Sequence, residues 1–197
     1  MKLKLAIIAA VTLSISACGG SNVQYGDATA IETTTVDFGS TDLQSIAEKM
    51  VGDMLVFPPI AQTTSQRRPI LFVDNIRNKT TEHIDTESIT DTIQSKLINS
   101  GRFRFVDMTA MRAAKDQLDY QNKSGMVDQN RAMSIGKQYG AEYMLYGNLS
   151  SIVKRSSSTK DVYYKFTLKL MHLESGILEW SGEKEIRKTR EKSLFGV

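Results

Sequence analysis

The chain offers one thiol, at Cys18, and two imidazoles, at His83 and His172. Cys18 closes the tetrapeptide Ile15-Ser-Ala-Cys18, which follows lysines at positions 2 and 4 and an apolar run from Leu5 to Leu13. That order of charge, apolar run and small residues is a bacterial secretory signal. The tetrapeptide looks like a lipobox, in which the signal is cut before a cysteine whose sulfur already carries a diacylglyceryl group. A thiol suits this role because its thiolate is a good nucleophile. A lone thiol in an oxidising compartment is otherwise a liability, and the lipid consumes it. Residues 1–17 are therefore expected to be removed, with Cys18 as the lipid attachment site.

Gly19 and Gly20 follow the cysteine, and no aspartate stands directly after it. This resembles lipoproteins passed on to the outer membrane, so the expected location is the outer membrane, lipid-anchored and facing the periplasm. No later apolar run approaches the ~20 residues of a membrane helix.

The rest of the chain is poor in catalytic groupings. Glu82, His83 and Asp85 are the best metal candidates, and their spacing matches no ligand pattern. Glu183 and Glu185 lie in an alternating charged run, where solvation is expected rather than the two carboxyls across a cleft that glycoside hydrolysis needs. No phosphate-binding glycine loop, dinucleotide fingerprint or nucleophile elbow occurs. No cofactor, no metal and no catalytic residue is expected, and the chain reads as a binding module rather than an enzyme. Removing the signal takes away Lys2 and Lys4 and leaves 23 basic against 22 acidic residues. That balance argues against a nucleic-acid partner.

The elements that must position a binding surface follow from periodicity. Residues 18–40 read as the lipidated cysteine and a flexible tether, with Val36 or Phe38 docking at its end. A coil of this length has an end-to-end distance of roughly 25 Å and at most about 75 Å when stretched. Residues 41–190 read as one globular domain. Leu43, Ile46, Ala47, Met50, Val51 and Met54 mark a helix capped by Thr41 or Asp42 and ended at Phe57-Pro58-Pro59. A polar loop from Gln62 to Arg68 then leads to a buried strand at Ile70–Val73.

Asp74 to Thr81 reads as a polar loop, and Asp85 or Thr86 caps a helix that runs to about Asn99 with Ile89, Ile93 and Leu97 inward. Gly101 suits the left-handed position after that helix. Phe103, Phe105 and Val106 predict a second strand, and helices are expected from Thr109 and from Asp128 to Tyr139. Tyr143–Val153 and Val162–Leu173 predict a hairpin with a polar tip at residues 154–160. Ile177–Ile186 predicts a third strand carrying Trp180, followed by a frayed charged end. The expected fold is α/β, a single domain with a mixed sheet of about five strands, parallel in its first half and antiparallel over its last three, flanked by about four helices.

Five stretches together resemble the LpoB family, outer-membrane lipoprotein activators of bifunctional penicillin-binding proteins. They are Leu71-Phe-Val-Asp-Asn-Ile-Arg-Asn-Lys-Thr80, Asn99-Ser-Gly-Arg-Phe103, Ala114-Lys-Asp-Gln-Leu118, Gly140-Ala-Glu-Tyr-Met-Leu-Tyr146 and Ser175-Gly-Ile-Leu-Glu-Trp-Ser-Gly182. The resemblance implies a domain like the amino-terminal domain of TolB. It implies as partner a bifunctional (class A) penicillin-binding protein, bound through a non-catalytic domain, whose glycan polymerisation and thereby crosslinking are stimulated. Enteric members carry a long proline-rich tether, whereas residues 19–40 here are short and lack proline. The candidate contact residues are Asn75, Arg77, Asn78, Lys79 and Thr80 of the polar loop, then Lys154 and Arg155 of the hairpin. Asn78 and Thr80 equally suit turn structure, with side chains bonding their own backbone. The alternative function is a subunit of a secretion complex of the curli-exporter type. Such a pore needs an apolar outward strand face, and Lys165 and Lys169 interrupt the face available here.

Overall fold

In the computed structural model residues 24–106 and 140–192 are described. The signal segment, Cys18 and the helices expected from Thr109 and from Asp128 lie outside them. The chain divides into Met1–Ala30 and Ile31–Val197. In the first unit residues 24–30 are exposed, with a turn in which Thr29 donates from its N–H and its hydroxyl to Asp27 Oδ1 at 2.8 and 2.7 Å.

The second unit begins with an irregular segment whose Val36 is buried in the core. It leads into α1 (Ser40–Val56). The N-cap is Gly39, and the Asp42 carboxylate reaches back from the first turn to accept from the Gly39 N–H at 2.9 Å. Phe57 ends α1 and at once begins α2 (Pro58–Gln66), with prolines at the first two helical positions. Proline breaks a helix it would continue, but it suits the first turn of a new one because those N–H groups have no helical partner. The polar loop expected from Gln62 to Arg68 is thus mostly helix.

β1 (Ile70–Val73) is followed by β2 (Arg77–Lys79), α3 (Thr86–Asn99) and β3 (Arg104–Phe105). Asp85 caps α3, its Oδ1 accepting from the N–H groups of Glu87 at 3.0 Å and Ser88 at 3.3 Å. Gly101 takes φ +71° after α3, the left-handed conformation that glycine adopts without steric cost. The last three strands are β4 (Tyr143–Arg155), β5 (Thr159–His172) and β6 (Leu178–Glu191).

These strands make one six-stranded sheet in the order β3-β1-β4-β5-β6, with β2 pairing alongside β4. β1 runs parallel to β3 and β4, and β4, β5 and β6 are antiparallel. The mixed α/β sheet expected from the sequence is present, with β2 as the additional strand. Three helices occur among the described residues.

One core lies between the sheet and the helices. It takes Ile46, Met50 and Met54 from α1, Ile89, Ile93 and Leu97 from α3, and Val162, Tyr164, Phe166, Leu168 and Leu170 from one side of β5. A smaller core on the opposite face holds Phe72, Ala141, Met144 and Leu173. β1 therefore buries Leu71 and Val73 one way and Phe72 the other, as its unbroken apolar run predicts. Trp180 is buried, and Phe38 packs edge-on against Tyr164 with ring centroids 5.8 Å apart.

Two corrections concern the ends of the long strands. Lys154 and Arg155 belong to β4 itself, opposite Asp161 and Lys160, and the tip of the hairpin is Ser156–Ser158. The charged run after Glu183 does not fray, since β6 stays paired with β5 as far as Thr159 opposite Glu191. It is held there by Ile186, which packs against the core, and by Lys165, which lies 2.6 Å from Glu183 and 3.8 Å from Glu185.

Candidate functional site

Alternation along the strands divides β4 between two faces. Leu145, Leu149 and Val153 join the core beneath α1 and α3. Tyr146, Asn148, Ser150, Ile152 and Lys154 take the other face, opposite Lys169, Thr167, Lys165, Tyr163 and Asp161 of β5. The buried apolar residues of the described helices all belong to the first face. The second face carries an exposed Ile152, at 59%.

The loop chosen from the sequence borders this second face, whose β4 residues from Tyr146 to Lys154 are half-buried or exposed. Arg77, Asn78 and Lys79 are a strand, β2, paired in parallel with Asn148, Leu149 and Ser150. Nothing in a run of polar residues announces a strand; the pairing is made by β4, which offers free backbone groups on that side. Asn78 spends its side chain locally. Its Nδ2 donates to the Glu82 carbonyl at 2.9 Å, and its Oδ1 accepts from the Thr80 N–H at 2.9 Å and the Thr80 hydroxyl at 2.8 Å. Asn78 and Thr80 thus fold the turn that holds Arg77 and Lys79 in register.

Between β2 and the middle of β4 and β5 lies a cavity of about 130 Å³. Asn75, Arg77, Lys79, Tyr146, Asn148, Thr167 and Lys169 line it, with Asp74 as the single carboxylate among the described residues. Lys79 and Lys169 form no ion pair among the described residues. Further across the face charge is already balanced. Glu183 holds the Lys165 ammonium in its charged form, raising its pKa. A hydrogen bond to the Glu185 carboxylate raises the Tyr163 phenol, and Arg187 stands 5.7 Å over the Tyr163 ring. Among the described residues the second face is therefore neutralised on its β6 side and cationic on its β2 side. Such a site can accept a carboxylate and a flanking apolar side chain.

Lys154 lies on this face, whereas Arg155, one residue on, points to the other. Arg155 lines a larger cavity of about 600 Å³ between the start of α1, the Thr81–Asp85 loop and the end of β4. The metal trio considered from sequence borders that cavity, but two members are already engaged. Glu82 accepts from the Tyr164 hydroxyl at 2.7 Å and the Phe38 N–H at 3.2 Å, and Asp85 caps α3. Among the described residues no group of three His, Cys, Asp or Glu could hold a metal ion. Sequence reasoning passed over Glu82 as a fastening point and Lys169 as a wall of the smaller cavity. Only the polar phase of β5 pointed to Lys169, and nothing local pointed to Glu82.

Comparison with known proteins connects this fold to a family. The family described as peptidoglycan-synthase activator LpoB matches residues 42–186. A penicillin-binding protein activator LpoB of Enterobacter sp. (strain 638) is 27% identical over 142 residues, covering 72% of this chain and 60% of the relative. That of Citrobacter koseri is 26% identical over 147 residues, covering 75% and 63%. The chain thus spans about three fifths of the length of these curated relatives. The LpoB C-terminal domain from Escherichia coli superposes with a TM-score of 0.52 at 23% identity, covering 74% of this chain and 98% of that domain, and the one from Salmonella enterica with 0.51. The structural likeness shows a shared fold, and the match over residues 42–186 shows that the chain belongs to the LpoB family of peptidoglycan-synthase activators.

Proposed function

We propose that this protein is a non-catalytic activator of a bifunctional penicillin-binding protein, held to the outer membrane by lipid on Cys18 and facing the periplasm. The family match over residues 42–186 carries this reading. The activator binds a non-catalytic domain of the synthase and stimulates its glycosyltransferase, and through it the transpeptidase. A protein without catalytic groups accelerates an enzyme by binding its active arrangement more tightly than its inactive one. A tenfold bias needs about 1.4 kcal/mol of differential affinity. That is within the capacity of a modest interface.

The contact surface in this reading is the part of the second sheet face that runs from β2 to the exposed Ile152. Arg77, Lys79 and Lys169 receive acidic groups of the synthase domain around the cavity, Asn75 and Lys154 extend the contact, and Ile152 supplies the exposed apolar patch. Asn78 and Thr80 act by shaping the turn. Arginine suits such a site because its planar fork makes several bonds at limited entropic cost.

The test uses the lipid-free chain from residue 19, added to the bifunctional synthases of the same organism while glycan polymerisation from lipid II is followed. Stimulation of one synthase and not of others supports the activator reading and identifies the partner. A folded chain that neither binds nor stimulates any of them overturns it.

A further inference from the structure

At the hairpin end of the sheet three cations sit side by side on one face. Arg155 of β4 is directly opposite Lys160 of β5, and Lys160 is directly opposite Arg190 of β6. Like charges at directly opposed positions repel and destabilise a sheet. On the other face the adjacent row is Lys154, Asp161 and Thr189, where the carboxylate lies beside the cation and accepts from the Thr189 hydroxyl at 2.8 Å. The cationic row is thus confined to one face.

Around it the chain forms a second concentration of hydrogen-bond donors. A cavity of about 260 Å³ is lined by Arg155, Lys160, Arg190 and Lys192 together with the hydroxyls of the tip, with no carboxylate among the described residues that line it. Lys160 is partly neutralised by Asp37 at 2.6 Å, whereas Arg155, Arg190 and Lys192 make no ion pair among the described residues. The same Asp37 fixes where the chain arrives. Its carboxylate takes Lys160, its carbonyl accepts from Lys188 Nζ at 2.8 Å, and the segment leading from Ile31 ends here. Cys18 is about 13 residues before Ile31, a distance of at most about 45 Å of extended chain.

We propose that the hairpin end formed by Arg155, Lys160, Arg190 and Lys192 docks on the phosphate headgroups of the anionic membrane surface to which the chain is tethered, and so orients the domain. The membrane as source rests on the lipid-anchor reading above. It is favoured over a free anion because the cations are spread across three strand ends beside Asp37, in the segment by which the chain enters the domain, and each contributes to attraction by a charged plane. Docked in this way, the partner cavity beside Asn148 stands about 23 Å further along β4, clear of the headgroups.

The experiment uses the lipid-free chain, so that it does not depend on acylation of Cys18, which mass spectrometry of the membrane-extracted protein tests separately. Flotation with vesicles of phosphatidylglycerol and phosphatidylethanolamine is compared with flotation with phosphatidylcholine alone. The expected result is binding to the anionic vesicles only, lost between about 50 and about 300 mM salt as the screening length shrinks. Arg155→Gln and Arg190→Gln each reduce the vesicle partition coefficient about fivefold, with melting temperatures at or above that of the wild type because each relieves repulsion in the row. Lys49→Gln, the same loss of charge on a remote helix face, leaves it unaltered. Equal flotation with both vesicle types, or wild-type flotation by the Arg155→Gln/Arg190→Gln double variant, overturns the proposal. Saturable binding of inorganic phosphate without vesicle binding also overturns it and assigns the cluster to a free anion.

Discussion

The Tyr164 hydroxyl donates to Glu82 Oε1 at 2.7 Å, while Glu82 Oε2 accepts from the Phe38 N–H at 3.2 Å. One carboxylate therefore joins the middle of β5, the loop before α3 and the segment that enters the domain. Each of these would otherwise hold a polar group turned toward the core.

Removing the phenol tests that junction. Tyr164→Phe leaves Glu82 short of a partner and is expected to cost about 1–3 kcal/mol, read as a lowered urea midpoint. Burial, with the neighbouring Glu82, pushes the Tyr164 phenol well above its ordinary range. The folded state holds this proton more tightly than the unfolded chain. The stability it contributes is complete below about pH 10 and declines as pH rises beyond it. Wild-type stability should fall above about pH 10, and the Phe variant should fall less steeply there.

Lys188 Nζ meets Asp42 Oδ2 at 2.6 Å with Asp42 only 4% exposed. Asp42→Ala strands the ammonium and removes the bond to the Gly39 N–H, so a loss of about 3–5 kcal/mol is expected. The double variant Asp42→Ala/Lys188→Met should recover part of that loss. A double-mutant cycle by chemical denaturation checks both.

Gly182 lies under the indole of Trp180, and a Cβ at that position would stand 2.5 Å from the ring. Gly182→Val must displace the indole. The expected cost is about 1–3 kcal/mol. Because Trp180 is the single tryptophan, its emission should move to longer wavelength in the folded variant.

At the proposed partner site Lys79→Glu and Lys169→Glu should abolish stimulation of the synthase with melting curves unchanged. Arg77→Ala should weaken binding about tenfold or more, as expected where a hot-spot arginine is truncated. Wild-type affinity should fall with rising salt. Glycan polymerisation reads the first, and surface plasmon resonance against the isolated synthase domain reads the other two. Normal binding by the Lys79→Glu/Lys169→Glu double variant would place the contact elsewhere.

Much of the scaffold was legible because its signals are local. Ile89, Ile93 and Leu97 repeat at helical spacing, Asp85 caps, Gly101 turns, and β5 alternates strictly between Tyr164-type and Lys165-type positions. What escaped depends on partners distant in sequence. β2 is polar throughout and becomes a strand because β4 lies beside it. The run after Glu183 is ordered by Lys165 of the neighbouring strand and by the packing of its own Ile186 against core residues distant in the chain. Pro58 and Pro59 stop one helix as expected, yet the same rigidity starts another. The cationic triplet could be recognised only once strand register had set Arg155, Lys160 and Arg190 abreast.

The burial of Val36 and the capture of Asp37 by Lys160 and Lys188 draw the segment from Ile31 onward into the domain. With the lipid anchor proposed at Cys18, the stretch before the domain is then about 13 residues rather than about 22, which would bound a shell of at most about 45 Å around the attachment point. Inside such a shell a tethered molecule is present at an effective concentration in the millimolar range, and outside it at none. On the proposed function, a synthase segment that rises into this layer would meet the activator without a diffusive search, and one that stays below would never meet it. Encounter would thereby report how far the growing wall and its synthase stand from the outer membrane.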